Sequence, residues 1–327
     1  MNIEEKILSE ISGRNYRSGE EISDELDITR SAVWKHIVKL RNSGYEIEAS
    51  PRNGYRLVSR PDKLFPVEIA PRLRARVVGS RIVHLEETGS TADEARALVD
   101  RGTPEGTVVI AESQKAGRGR MGRGWSTPGG KAIAMSVIFY SGIVPTRVPL
   151  FSLATAVAVA RAIAATVDVR PGLKWPNDIY LEGLKLGGVL VEMGAELDRV
   201  RWIIDSIGVN VNNSFRGTEL EGSAVSLAEV AGTRVSRKDL AVALLGELDR
   251  LWLAVRPAAG LDPYREEFLR LDILQGRKIR VKTPEGVIDG RAAGIDAEGR
   301  LLLERPGGEK ISLFSGEVTI DGSGRPG

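Results

Sequence analysis

Along the first sixty residues, apolar positions recur at helical spacing and then switch to the alternation of strands. Ile3, Ile7, Leu8 and Ile11 share one helix face. After a turn from Gly13 to Gly19, Ile22 and Leu26 mark a short second helix. Thr29 or Ser31 caps a third, with Val33, Ile37 and Leu40 inward and Gly44 just past its end. Tyr45 to Ala49 alternates like a strand, Arg52-Asn53-Gly54 supplies a hairpin turn, and Tyr55 to Val58 returns.

Farther along, the pattern becomes mixed. Pro61, Pro66 and Pro71 place a linker over 61–79. From 80 to 271 strands and helices alternate: Thr91 with Glu94 reads as a capping box, Val108 to Glu112 and Ala132 to Tyr140 as strands, and Val148 to Val167 as a helix. Val189 to Glu192 and Trp202 to Val211 read as strands, and Ser236 to Val255 as a capped helix. Residues 272–327 carry short runs separated by turns at Pro284-Glu285-Gly286, Glu298-Gly299 and Pro306-Gly307-Gly308, which predicts a small SH3-like β-barrel. The fold class is therefore α+β and multidomain: 1–60, 80–271 and 272–327.

Charge adds the first functional hint. Residues 1–27 hold eight acids against three bases, whereas 28–60 hold seven bases against two acids. Three helices and a hairpin with a basic third helix give a winged helix-turn-helix over 1–60. Its candidate DNA contacts are Thr29, Arg30, Ser31, Trp34, Lys35, Lys39, Arg52 and Asn53. A second acid-free basic cluster runs from Gln114 to Trp125, so two anionic partners are implied. The chain of 327 residues has no cysteine, which excludes disulfides, zinc–thiolate sites and thiol catalysis. The stretch from Leu150 to Val169 is interrupted by Ser152, Thr155, Arg161 and Thr166, so it reads as a buried helix rather than a membrane span. Met1 to Lys6 does not read as a signal peptide, and a cytoplasmic location is expected. His36 reads as a surface or packing residue and His84 as structural.

Two segments carry candidate chemistry. Gly117, Gly119 and Gly122 match G-x-G-x-x-G, but a dinucleotide fingerprint must open a helix, and here Ser126 to Gly130 leads into a strand. No Gly-Lys-Ser/Thr follows, so it is not a Walker loop either. A solvated basic loop, an RNA-binding Arg/Gly segment and an anion-wrapping loop remain. In the last, glycines admit close backbone approach while Arg118, Arg120 and Arg123 present forked donors. The second segment, Lys174-Trp175-Pro176-Asn177-Asp178, suits neither helix nor strand and reads as an ordered turn; Lys185-Leu186-Gly187-Gly188 follows it.

Glu112 to Arg120, Lys174 to Asp178 and Lys185 to Glu192, in this order and spacing, resemble the three signature blocks of biotin protein ligases. Ser90-Thr91 resembles the family's Ser-Thr-Asn, and Gly208-Val209-Asn210 its Gly-hydrophobic-Asn. The N-terminal unit resembles that of the bifunctional ligases that repress biotin operons. The resemblance implies a central domain of the biotin/lipoate ligase type. It also implies a two-step reaction: biotin and ATP give biotinyl-5′-AMP and pyrophosphate, then a lysine of a biotin carboxyl carrier protein takes the biotin. By the same resemblance, Ser90, Thr91, Ala92 and Gln114 hold biotin's ring end, and Arg118, Gly119 and Arg120 fold over the carboxylate and phosphate. Lys185, with Arg118 and Arg120, is catalytic at the carboxylate–phosphate junction. Arg123, Trp125, Asn177 and Asn210 face ATP, and Asp178 orients the acceptor lysine. Magnesium arrives with ATP rather than on a protein site. Operator DNA and a homodimer promoted by the adenylate complete the implied partners.

Ala92 departs from the family's Asn, so one ring hydrogen bond is lost or replaced, and Met121 stands where an Arg is common. Two rivals share some of these features: a regulator that only senses a ligand, and a lipoate ligase. The first does not account for Lys185 beside an Arg-rich loop.

Overall fold

A computed structural model of the chain describes residues 3–140, 143–196, 199–255 and 261–320, in two compact units, Met1–Lys63 and Leu64–Gly327. The first unit holds helices α1 (Ile3–Ile11), α2 (Gly19–Leu26) and α3 (Arg30–Asn42), then a hairpin of β1 (Glu46–Ser50) and β2 (Gly54–Ser59). Ile7, Leu8, Ile11, Ile22, Val33, Ile37 and Leu40 form its buried centre, which is the apolar set the helical spacing selects. Of the two candidate caps, Thr29 serves: its Oγ1 accepts from the Ala32 amide at 3.2 Å.

The second unit is built on a seven-stranded sheet. Its elements in chain order are α4 (Pro66–Ile69), β3 (Arg81–Thr88), α5 (Thr91–Asp100), β4 (Thr107–Gln114), β5 (Ala132–Phe139), α6 (Val148–Thr166), β6 (Gly172–Lys174), β7 (Asp178–Leu181), β8 (Leu184–Glu196), β9 (Arg199–Asn210), α7 (Leu227–Ala231), α8 (Arg237–Val255) and α9 (Asp262–Leu271). The strand order is β3-β4-β5-β9-β8-β7-β6; only β3 and β4 run parallel. All eight residues of β5 are buried because both faces are covered. Val108, Ile110, Val137 and Phe139 pack beneath α6 and α8, where Phe139 stacks on Trp252 at 4.3 Å, while Val109, Ile138 and Ile204 pack beneath α5. The helix from Pro145 to Thr166 is long and apolar enough to cross a membrane, but its side chains are mostly buried in this core.

Three expectations change. The stretch assigned to a linker, 61–79, is core from Leu64 onward: Leu64, Ile69 and Val78 are buried, and the Asp249 carboxylate accepts the amides of Arg76, Val77 and Val78. Prolines there start a helical turn rather than an open linker. The cap of α5 is Ser90, whose Oγ accepts from the Ala92 amide, not Thr91 with Glu94; Glu94 instead takes the Thr88 hydroxyl. Asp178 begins a strand rather than ending a turn, because Lys174 and Asp178 pair across β6 and β7.

The final strands, β10 (Lys278–Thr283), β11 (Gly286–Ile295), β12 (Leu301–Glu304), β13 (Lys310–Leu313) and β14 (Glu317–Ile320), form an antiparallel sheet ordered β13-β12-β11-β10-β14. Ile279, Val281, Leu301 and Leu303 belong to the same buried cluster as Leu173 and Trp252. The Trp175 indole N–H donates to Gly299 O at 3.0 Å, and Arg265 Nε to Asp296 O at 3.0 Å. Residues 321–327 of the expected C-terminal domain lie outside the described residues.

Candidate active site

One cavity, with about 1090 Å³ of empty space including its mouth, gathers most of the residues singled out above. Its walls come from the N-terminus of α5, the end of β4, the segment 118–125, the β6–β7–β8 hairpins, the middle of β9 and the turn into β14.

The Gly/Arg segment is an ordered hairpin. Arg118 and Gly124 form a bridge, the Trp125 amide donates to Gly117 O at 2.7 Å, and the Gly119 amide to Arg123 O at 2.8 Å. Gly117 is required at its base, since a Cβ there would lie 2.5 Å from Trp125 O and 2.7 Å from Gln114 Nε2. The hairpin is held by charge. Arg118 Nη2 lies 2.6 Å from Asp93 Oδ1 and 3.6 Å from Glu192 Oε1, and Arg123 pairs with Glu317 at the start of β14. Among the described residues Arg120 has no ion-pair partner; burial lowers its guanidinium from the ordinary value, and Asp178 partly opposes this.

Lys185 is fixed from both sides. Its amide donates to Ser223 O and its carbonyl accepts from the Val225 amide, both at 3.0 Å, while Nζ lies 2.7 Å from Asp178 Oδ1. Lys174, across from Asp178, reaches the Tyr180 hydroxyl at 3.2 Å. Burial lowers the Lys174 ammonium; Asp178 and Glu317 push back, Lys185 and Arg123 add to the lowering. Burial, with Asp178 nearby, pushes the Tyr180 phenol up to about 12, so it stays a neutral donor. The cavity thus holds Arg118, Arg120, Arg123, Lys174 and Lys185 against Asp178 and Glu317, a cationic surplus that suits a polyanion.

A second set is neutral. Gln114 Oε1 accepts from the Thr91 amide at 2.8 Å and the Thr91 hydroxyl at 3.1 Å, while its Nε2 donates to Thr127 at 3.0 Å. Trp125 lies over Gly208, where a Cβ would meet the indole at 2.4 Å; this is why that motif carries glycine. The Trp125 indole N–H is buried without a protein partner.

Ser90, Thr91, Ala92, Gln114, Arg118, Gly119, Arg120, Arg123, Trp125, Asn177, Asp178 and Lys185 all line the cavity. Asn177 does so while its Nδ2 donates to Val189 O, which ties it to β8. Asn210 does not line it: it is buried and its Oδ1 accepts from Asn213 at 3.2 Å, because the last residue of β9 turns toward the 211–213 loop. Lys174, Tyr180, Ser206 and Glu317 line the cavity without having been assigned a role. Lys174 and Tyr180 flank the Trp-Pro-Asn-Asp block and were findable by strand pairing; Ser206 and Glu317 reach the cavity only through tertiary folding.

In the first unit, Thr29, Arg30, Ser31, Trp34, Lys35 and Lys39 lie exposed on α3 opposite its buried face, and Arg52 and Asn53 are exposed at the hairpin turn. Lys39 pairs with Glu4 at 2.6 Å, which also contacts His36, and Arg41 is spent on Ile47 O.

A cation-lined cavity beneath a glycine hairpin, with a basic helix in a separate unit, defines a nucleotide-using ligase joined to a DNA-binding domain. Residues 90–212 match the biotin/lipoate A/B protein ligase family, 4–56 an HTH domain and 275–321 the biotin protein ligase C-terminal domain. The bifunctional ligase/repressor BirA of Bacillus spizizenii is 38% identical over 94% of this chain and 95% of its own. The biotin–[acetyl-CoA-carboxylase] ligase of Mycobacterium tuberculosis is 33% identical over 79% of this chain and 97% of its own. The biotin protein ligase from Aquifex aeolicus, solved with biotin and ATP, shares the fold with a TM-score of 0.64 at 24% identity, over 76% of this chain and all of that one. The chain belongs to the biotin protein ligase family, and its likeness to the ligase/repressors runs through the helix-turn-helix unit as well.

Proposed function

We propose that this chain joins biotin to ATP as biotinyl-5′-AMP and then passes biotin to a lysine of a biotin carboxyl carrier protein. The observation that carries the reading is the cationic surplus set beside a neutral hydroxyl pocket. In the first step a biotin carboxylate oxygen forms a bond to the α-phosphorus as the bond to pyrophosphate breaks. Two anions must meet, and the carboxylate is already ionised, so neutralisation and positioning supply the catalysis and no general base is needed. Lys185 and Arg120 sit at the junction, with Arg118 and Arg123 leaving their acidic partners to grip the ligand. In the second step the acceptor amine attacks the acyl carbon, AMP leaves, and Asp178 takes or orients the amine proton. Trp125 and Asn177 face the nucleotide. Magnesium enters as the counter-ion of ATP, held chiefly by the nucleotide's own phosphates and water. The hairpin excludes water from the mixed anhydride.

The chain acts in the cytoplasm, with 1–60 as its DNA-binding domain, and the adenylate favours a homodimer that binds a palindromic operator. Coupling of this kind is reciprocal, so operator DNA tightens the adenylate by the same factor. Pyrophosphate release that needs both biotin and ATP tests the ligase half. Sedimentation and DNA isotherms with and without both substrates, on duplexes selected from random sequence, test the repressor half. Dimerisation and DNA affinity that ignore the substrates remove the repressor half and leave the ligase half standing.

A further inference from the structure

A chain of hydroxyl groups runs from Gln114 to the cavity wall, and its protons all point one way. It begins at the Thr91 amide, a buried donor that must find an acceptor and takes Gln114 Oε1 at 2.8 Å. That contact, with Gln114 Nε2 donating to Thr127, fixes which end of the Gln114 amide faces α5. Oε1 can only accept, so the Thr91 hydroxyl gives it its one proton at 3.1 Å. Ser136 on β5 then donates its one proton to Thr91 Oγ1 at 2.9 Å. Ser136 pairs with Ser206 on β9, and their hydroxyls lie 2.8 Å apart. With the Ser136 proton already given away, the proton between them belongs to Ser206. Ser136 is fully buried, whereas Ser206 is partly exposed and lines the cavity. Ser206 therefore faces the cavity with lone pairs and no proton.

The geometry assigns Ser206 Oγ as a dedicated acceptor for a ligand N–H, and so as a specificity-determining residue for biotin's cyclic urea; this rests on the reading of Ser90, Thr91 and Gln114 as the ring end of the pocket. Ala92, in the same wall, is a buried methyl and offers no polar group. The Ser206 hydroxyl supplies the contact that Ala92 does not. A ligand whose ring has no N–H leaves this acceptor unpaired, and one that presents an oxygen there is repelled. The hydroxyl set thus discriminates among carboxylic acids that the cationic hairpin would grip equally well.

The test is an isosteric swap in the ligand, read by calorimetry without ATP. Biotin is compared with the two cyclic carbamates in which one ring N–H is replaced by oxygen. The wild-type chain is expected to prefer biotin over one carbamate isomer by at least tenfold, the scale of one neutral hydrogen bond. Ser206→Ala is expected to weaken biotin about tenfold and to collapse that preference, with the KM for ATP unaltered. Ser136→Ala frees the Ser206 proton, so the hydroxyl can donate, and the carbamate is expected to gain on biotin. That gain separates proton direction from mere packing, which would weaken all three ligands alike. Intact biotin binding with the same preference in wild type and Ser206→Ala overturns the acceptor and leaves the ligase reading in place. No biotin binding by the wild type overturns both. Should Ser206→Ala not fold, the wild-type preference and its narrowing in Ser136→Ala decide the matter.

Discussion

Helix α3 and the hairpin 117–125 are both basic, yet they hold their charges differently. On α3, Arg30 and Lys35 are exposed and, among the described residues, have no acidic partner; an outward cation on a rigid helix suits a fixed row of phosphates. In the cavity, Arg118, Arg123 and Lys185 are each already paired, to acids on α5, β8, β14 and β7. These pairs are half-exposed, with side-chain exposures of 34% for Lys185 and 44% for Arg118 against 0% for the buried Arg237. Partial exposure keeps such pairs weak enough to exchange for a ligand. A pair like Arg237–Glu112, sealed in the core, is structural for the same reason that it cannot exchange.

Lys185 carries the largest expected effect. If its charge is transferable from Asp178 to the reacting phosphate, Lys185→Ala should slow adenylate formation about 10²- to 10³-fold. The melting temperature should move little, since the lost pair is partly solvated. Wild-type pyrophosphate release by the mutant would show that Lys185 serves Asp178 alone.

The sealed pair gives the next largest effect. Burial works against the Glu112 carboxylate, but the His84 contact at 3.2 Å, the charge of Arg237 and the Leu64 amide together hold it down to about 2 from 4.5. The folded value lies below the unfolded one, so the stabilisation is full above about pH 4.5 and is lost as pH falls toward 2. On the order of 3 kcal/mol is at stake. Urea titrations from pH 6 to 2.5 should show this loss in wild type and a flatter profile in Glu112→Gln, which should also be less stable at pH 7 because the buried charge facing Arg237 is removed.

Much of this was readable from the residues. The 3.6-residue spacing of Val33, Ile37 and Leu40 located the inner face of α3, and the glycine–arginine block located the hairpin. Local pattern failed where a distant partner decided the outcome. Prolines at 61–71 signal a linker, but Glu112, 48 residues away, accepts the Leu64 amide and Asp249 accepts three more, so the segment is stitched into the core. Thr91 has a cap's chemistry, yet Ser90 caps and Thr91 turns to Gln114. Glu317 carries no local mark at all; only the β10–β14 pairing brings it to Arg123.

Gly117→Val separates the placement of the hairpin's cations from their charge. The added Cβ meets Trp125 O and Gln114 Nε2, so the base of the hairpin must open while every arginine is retained. Charge is kept and position is lost. A displacement of about 1 Å can cost about 10²-fold. The expected result is faster loss of biotinyl-adenylate and labelling of lysines on bystander proteins. A mutant that retains the adenylate as wild type does would mean the cations need no hairpin to place them.

The smallest effect is expected on α3, where no partner must be released. Lys35→Ala removes one exposed cation that touches neither the core nor the cavity. If it meets a phosphate, the slope of log K against log salt should become shallower by about 0.9, with affinity at physiological salt falling by roughly tenfold or less. The loss should be similar on specific and random duplexes, because a phosphate contact carries no sequence information. Ligase turnover should be unaltered. Trp34→Ala, one residue earlier and 56% exposed, is the control that separates charge from surface: it should change affinity without changing the slope. An unaltered slope in Lys35→Ala would mean that the unpaired cations of α3 are solvated rather than waiting for a polyanion, and the contrast with the hairpin would rest on Arg30 alone.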